Sequence, residues 1–88
     1  MTKLEEKVVD LGYNLYRYKN VKYVDAIRRY EFEKDGSVGL NIHIIDNKID
    51  NYYVYVHATK YHDQSQLDNL QLAYNKLLED LEVLKDVD

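Results

Sequence analysis

The chain has no cysteine, no proline and no tryptophan, and its 88 residues include three glycines. Without cysteine there is no disulfide framework, no thiolate metal site and no thiol nucleophile, so a small domain must be held by packing alone. A reducing, cytosolic setting is expected. Three glycines do not build a phosphate-cradling loop. No stretch approaches the roughly 18 apolar residues of a membrane span. The first residues, MTKLEEKVVD, carry acids where a signal peptide has a basic region and an apolar run. A cytoplasmic protein with no membrane partner is therefore expected.

Catalytic groups are equally sparse. Ser37 and Ser65 fall at turn and cap positions, and no hydroxyl, base and orienting acid assemble into a triad. The carboxylates lie on hydrated helix faces and turns, where displaced pKa values are not expected. His43, His57 and Glu31 share one sheet face, but the two histidines fall two rows apart, roughly 8 Å between Cβ atoms and long for a shared zinc. His62 sits in a loop with no inferable partner. The expectation is a protein that is not an enzyme, with no metal, cofactor or small-molecule substrate.

What the chain does have is tyrosine, which supplies ten of its eleven Phe, Trp and Tyr residues. A Tyr side chain combines a broad apolar ring with a hydroxyl that seeks a partner, so it suits half-wet contact surfaces. Nine Lys against three Arg, seven Asn and the lack of proline indicate an AT-rich coding sequence. Net charge is −4, unevenly spread: residues 1–30 hold seven basic and four acidic side chains, residues 31–88 five and twelve. Such asymmetry marks either a nucleic-acid-facing half or an acidic partner-facing one.

At this length the chain is one domain, residues 1–88. Leu4, Val8, Leu11 and Leu15 recur at helical spacing. Gly12 stands where a left-handed cap is expected, so a first helix ends near Leu11, with a run to Leu15 as the alternative. Residues 13–23, YNLYRYKNVKY, read as an irregular connection. Three strands follow. A Lys34-Asp35-Gly36 loop, with Gly36 needing positive φ, pairs Phe32 with Val38, Tyr30 with Leu40 and Ala26 with Ile44. A second hairpin around Asp46 to Asp50 sets Ile45 opposite Asn51, Ile44 opposite Tyr52 and Leu40 opposite Val56. A one-residue slip would invert each face. Arg28 alone points inward against this pattern, and is expected near the edge with its head in water. A long helix starts near Ser65, with Ser65 and Asp68 as a capping box. Its stripe is Leu67, Leu70, Tyr74, Leu77, Leu81 and Leu84, widened by Leu72 and Leu78.

The expected fold is thus α+β: a single α-β-β-β-α domain, a three-stranded antiparallel meander with both helices packed on one face. The other face stays wet or bound. It carries Ile27, His43 and Tyr53, then Arg29, Asn41 and Tyr55, then Glu31, Gly39 and His57, with Gly39 leaving a shallow gap. Tyr53, Tyr55, Arg29, Asn41 and His43 are the candidate protein-binding residues, for a protein partner or for self-association as a homodimer, since open strand edges attract other edges. The alternative is nucleic-acid binding through Tyr16, Arg17, Tyr18, Lys19 and Arg29, where rings and cations interleave. A third reading uses the acids of the second half, Glu79 and Glu82 foremost, as a decoy for a basic surface.

A short helix ending in LGY, a tyrosine-rich meander and the closing DQSQLDNLQLAYNKLLEDLEVL resemble small accessory proteins encoded by phages and prophages of low-GC Gram-positive bacteria. That resemblance implies a cytoplasmic accessory protein with a binding role and supplies no catalytic residue. Some phage proteins of this size and element order inhibit host defence nucleases, which is what the acidic-decoy reading draws on.

Overall fold

A computed structural model describes residues 1–32, 36–58 and 64–87. Helix α1 spans Lys3–Asp10. Its start is a capping box: the Glu5 amide donates to Thr2 Oγ1, and the Thr2 amide donates to Glu5 Oε1, satisfying donors that the first turn leaves free. The helix stops where Gly12 takes φ of 97°, and the Gly12 and Tyr13 amides donate back to the Val9 and Val8 carbonyls. The Gly12 cap therefore ends the helix, and Leu15 belongs to the sheet.

The sheet has four antiparallel strands in sequence order: β1, Asn14–Arg17; β2, Tyr23–Phe32; β3, Gly36–Ile45; and β4, Lys48–Ala58. The expectation of three strands is corrected by β1. Leu15 stands opposite the buried Ala26 and Arg17 opposite Val24, while Asn14 and Tyr16 stand on the other face. Four residues with one inward apolar side chain give too short an alternation to stand out from a connection.

The first hairpin sits two residues away from the expected register, and the second sits three away at its turn and two away beyond His43. Phe32 faces Gly36, Tyr30 faces Val38 and Ala26 faces Ile42; the expected loop residues Lys34 and Asp35 lie outside the described residues, and Gly36 has φ of 115°. At the second hairpin Ile45 faces Lys48, and Asp46 and Asn47 both have positive φ, 52° and 66°, as a two-residue type I′ turn requires. A register shift between His43 and Ile44 returns the alternation to phase, so Ile42 faces Tyr52 and Leu40 faces Val54. A slip of two preserves every side chain's face, which is why the inner and outer faces are nonetheless those expected.

Helix α2, Gln64–Lys85, starts one residue before Ser65. Ser65 therefore lies in the first turn rather than at the cap, and the Gln64 side-chain amide donates to Asp68. Leu70, Ala73, Leu77, Leu81 and Leu84 of α2 share one core with Leu4 and Val8 of α1 and with Ala26, Val38, Leu40, Ile42 and Ile44 of the sheet. Both helices thus occupy a single face. Leu67 and Leu72, expected on the stripe, are exposed.

Two polar residues enter this layer. Arg28, expected to keep its head in water, donates instead to the Leu11 carbonyl and lies 3.8 Å from the Asp80 carboxylate, with its guanidinium 4.7 Å over the Tyr30 ring. Asp80 is 7% exposed and also accepts from the buried Tyr13 hydroxyl at 3.1 Å. Burial, and then the adjoining Asp80 charge, push the Tyr13 pKa upward. The group joins the α1–β1 junction, β2 and α2.

Two outcomes follow. Asp80→Ala strands a half-buried guanidinium and a buried hydroxyl, and should cost about 2–4 kcal/mol in urea denaturation; a loss within about 0.5 kcal/mol, the range of ordinary surface changes, would contradict the network. Burial of Glu5 favours its neutral form, but the Thr2 hydrogen bonds and the Arg17 guanidinium outweigh it and hold the carboxyl below its ordinary 4.5. A carboxyl depressed in the folded state contributes stability above its unfolded value and loses it as pH falls through the folded one. Glu5→Gln should therefore flatten the stability decline below pH 4.5 in acid titrations followed by circular dichroism. An unchanged acid limb would count against the pairing.

Candidate functional site

The open face is built by odd-numbered positions of β2 and β3 and, from Asn51 onward, of β4. Its rows across β2, β3 and β4 are Asp25, His43 and Asn51; Ile27, Asn41 and Tyr53; Arg29, Gly39 and Tyr55; Glu31, Ser37 and His57. Tyr16 and Asn14 of β1 extend the first two. His43 and His57 consequently lie three rows apart rather than two. All five candidate protein-binding residues, Tyr53, Tyr55, Arg29, Asn41 and His43, share this face, opposite the helices.

Most of the tyrosines here are anchored. Asn41 Nδ2 donates to the Tyr53 hydroxyl at 2.8 Å, and the Tyr53 and Tyr55 rings lie 6.3 Å apart, tilted by 46°. Tyr55 leans over Gly39: a Cβ at that position would overlap the end of its ring. The shallow gap expected beside Gly39 is therefore filled by Tyr55. Here the glycine serves close approach rather than backbone conformation.

A second cluster centres on Asp25. One carboxylate oxygen accepts from His43 Nδ1 at 2.8 Å and the other from the Tyr18 hydroxyl at 3.0 Å. The carboxylate fixes the His43 tautomer with its proton on Nδ1. The His43 ring packs 4.2 Å from Tyr23, and Tyr23 lies 5.3 Å from Tyr18. The sequence reading missed Asp25; an outward acid one strand away from an outward histidine is the signal that could have found it. Tyr23, expected in the connection, opens β2.

The nucleic-acid candidates do not form one cationic stripe. Arg17 stands on the helix side and pairs with Glu5. Arg29 pairs with Glu31 at 3.1 Å. Tyr18 is committed to Asp25, and Tyr16 and Lys19 are exposed. Of the acidic-decoy residues, Glu79 and Glu82 are exposed on α2, across the sheet from the tyrosine face, and Glu82 pairs with Lys85 at 3.3 Å. Asp80, between them, points into the core. Among the described residues no three His, Asp or Glu side chains converge as metal ligands, and no helix is long and apolar enough to cross a membrane.

A scan of protein-family models finds no match to the chain. Neither the search of curated proteins nor that of solved structures returns a match.

Asn41 is itself 8% exposed, and its Oδ1 is buried without a hydrogen-bond partner. An unpaired buried acceptor costs about 1–3 kcal/mol. Asn41→Val should accordingly leave the denaturation midpoint unchanged or raise it, while releasing the Tyr53 ring. A destabilisation above about 1 kcal/mol would mean that the Asn41 to Tyr53 hydrogen bond outweighs the unpaired oxygen.

Proposed function

We propose that this protein is a non-enzymatic binding module whose outer sheet face docks a protein partner, with Tyr53 and Tyr55 as anchors and Arg29, Asn41 and His43 around them. The observation that carries this reading is the seating of exposed aromatic rings: Tyr53 is 57% exposed yet held by Asn41, and Tyr55 lies against Gly39. Rings fixed before contact lose little freedom on binding, and tyrosine supplies wide, half-polar contact area at low entropic cost. An accessory role in the cytoplasm of a phage- or prophage-carrying bacterium suits a small binding module of this kind.

Nucleic-acid binding is less well supported, because phosphate affinity comes from unpaired cations. Arg17 and Arg29 are each paired with a glutamate, and Asp25 and Glu31 put negative charge on the same face. The decoy reading through Glu79 and Glu82 loses Asp80 to the core, which thins the acidic cluster it needs.

Tyr53→Ala with Tyr55→Ala should abolish capture of a partner by the immobilised protein from bacterial extract, a loss equivalent to 2 kcal/mol or more if these are anchors, with thermal stability maintained. Gly39→Ala supplies a second arm: it keeps both tyrosines, displaces the Tyr55 ring and should weaken the same capture. Undiminished capture by both variants would discard the face. Fluorescence titration with single-stranded oligonucleotides should give no salt-sensitive binding at low ionic strength.

A further inference from the structure

The two edges of the sheet differ in a way that selects a partner. On one side the edge is made by the four residues of β1 and by residues 28–32 of β2, which β1 leaves uncovered. That stretch carries Arg28, Arg29 and Glu31, and charged side chains on an edge block pairing with another strand. On the other side β4 is terminal in the sheet and, at eleven residues, its longest strand. Its residues 51–57, NYYVYVH, contain no Lys, Arg, Asp, Glu, Pro or Gly. Among the described residues nothing pairs with this edge.

The helix layer covers it only in part, with Lys85 of α2 5.4 Å over the Tyr52 ring. Tyr52 and Val56 stand on the helix side, opposite Ile42 and Val38, yet they are 43% and 56% exposed. Their inward partners on β3 are fully buried. An exposed apolar strip on the core side of a long uncharged edge is a template for one more strand.

The pattern along the strand says which strand. Antiparallel pairing sets residues of the same face opposite one another. Tyr52 and Val56 are each two residues from Val54, so a two-fold axis at Val54 brings Tyr52 of one copy against Val56 of the other, twice. On the outer face the same register sets Tyr53 against Tyr55 and Asn51 against His57, with no like charges opposed. We infer that β4 pairs with β4 of a second copy of this chain, forming an isologous dimer with a continuous eight-stranded sheet. Helices then cover one side, and the Tyr53 and Tyr55 patches of both copies meet at the centre of the other. The inference is independent of what docks on the tyrosine face. One strand pair and two aromatic-aliphatic contacts bury less than the roughly 1,200 Å² at the lower end of stable interfaces, so micromolar rather than nanomolar affinity is expected.

Sedimentation equilibrium up to about 500 µM, a range that brackets micromolar association, should give a mass approaching twice 10.5 kDa. Val56→Lys brings an ammonium beside Tyr52 of the partner, whose ring already carries the Lys85 ammonium at 5.4 Å, and the opposed like charges should weaken association at least about tenfold, the equivalent of 1.4 kcal/mol. Leu72→Lys, at a position 67% exposed on α2, should associate like the parent. In the unaltered protein, amide hydrogen exchange within residues 51–57 should slow as concentration rises. A parent that stays monomeric throughout, a Val56→Lys variant that is folded by circular dichroism and dimerises as before, or exchange there that ignores concentration would each overturn the proposal.

Discussion

The Asp80 carboxylate holds the arrangement together. It sits inside an apolar layer, accepts from the Tyr13 hydroxyl and faces the Arg28 guanidinium, which also caps the Leu11 carbonyl. A buried acid of this kind is costly unless it is paired and hydrogen-bonded, and it tolerates few alternative packings. The group touches the α1–β1 junction, β2 and α2 together, on the side of the sheet where both helices share the apolar core. The other side is left without a cover.

That constraint explains the distribution of tyrosine. Tyr13 is buried and spends its hydroxyl on Asp80; Tyr30 and Tyr74 pack against the core. Tyr18, Tyr23, Tyr53 and Tyr55 occupy the uncovered side, and each is seated by a neighbour: Asp25, His43, Asn41 and Gly39 respectively. Two of these rings, Tyr18 and Tyr53, are exposed, and Tyr23 and Tyr55 are half-buried. The unpaired Oδ1 of Asn41 is a cost that a hydrophobic residue there would avoid.

Much of this was legible in the sequence, and the failures have physical causes. Gly12 marked the end of α1 correctly, and side-chain alternation assigned the candidate face residues to the open face. Alternation has a period of two, however, so it cannot tell a register from one two residues away; the turn at Asp46-Asn47 and the irregularity near His43 carried that information. Strand β1 was too short to show a pattern. Asp80 is among the carboxylates expected on hydrated helix faces, although positions 73, 77, 80 and 84 share one face, and Arg28 is the inward misfit of the sheet. Two misfits of opposite charge on facing surfaces were the available signal for their pairing. What the sheet edge does was partly visible too: self-association was expected, but the choice of β4 needed the exposure of Tyr52 and Val56.

The tyrosine face requires that its rings are seated in solution with no helix over them. Aromatic-resolved NMR of the tyrosines, with nuclear Overhauser contacts, tests this directly. Contacts from the Tyr55 ring to the Gly39 Hα protons, an upfield shift of those protons by the ring current, and no contact from α2 to Tyr53 or Tyr55 are the predicted result. Tyr55 signals averaged to free-chain values, or α2 contacts to either ring, would contradict it.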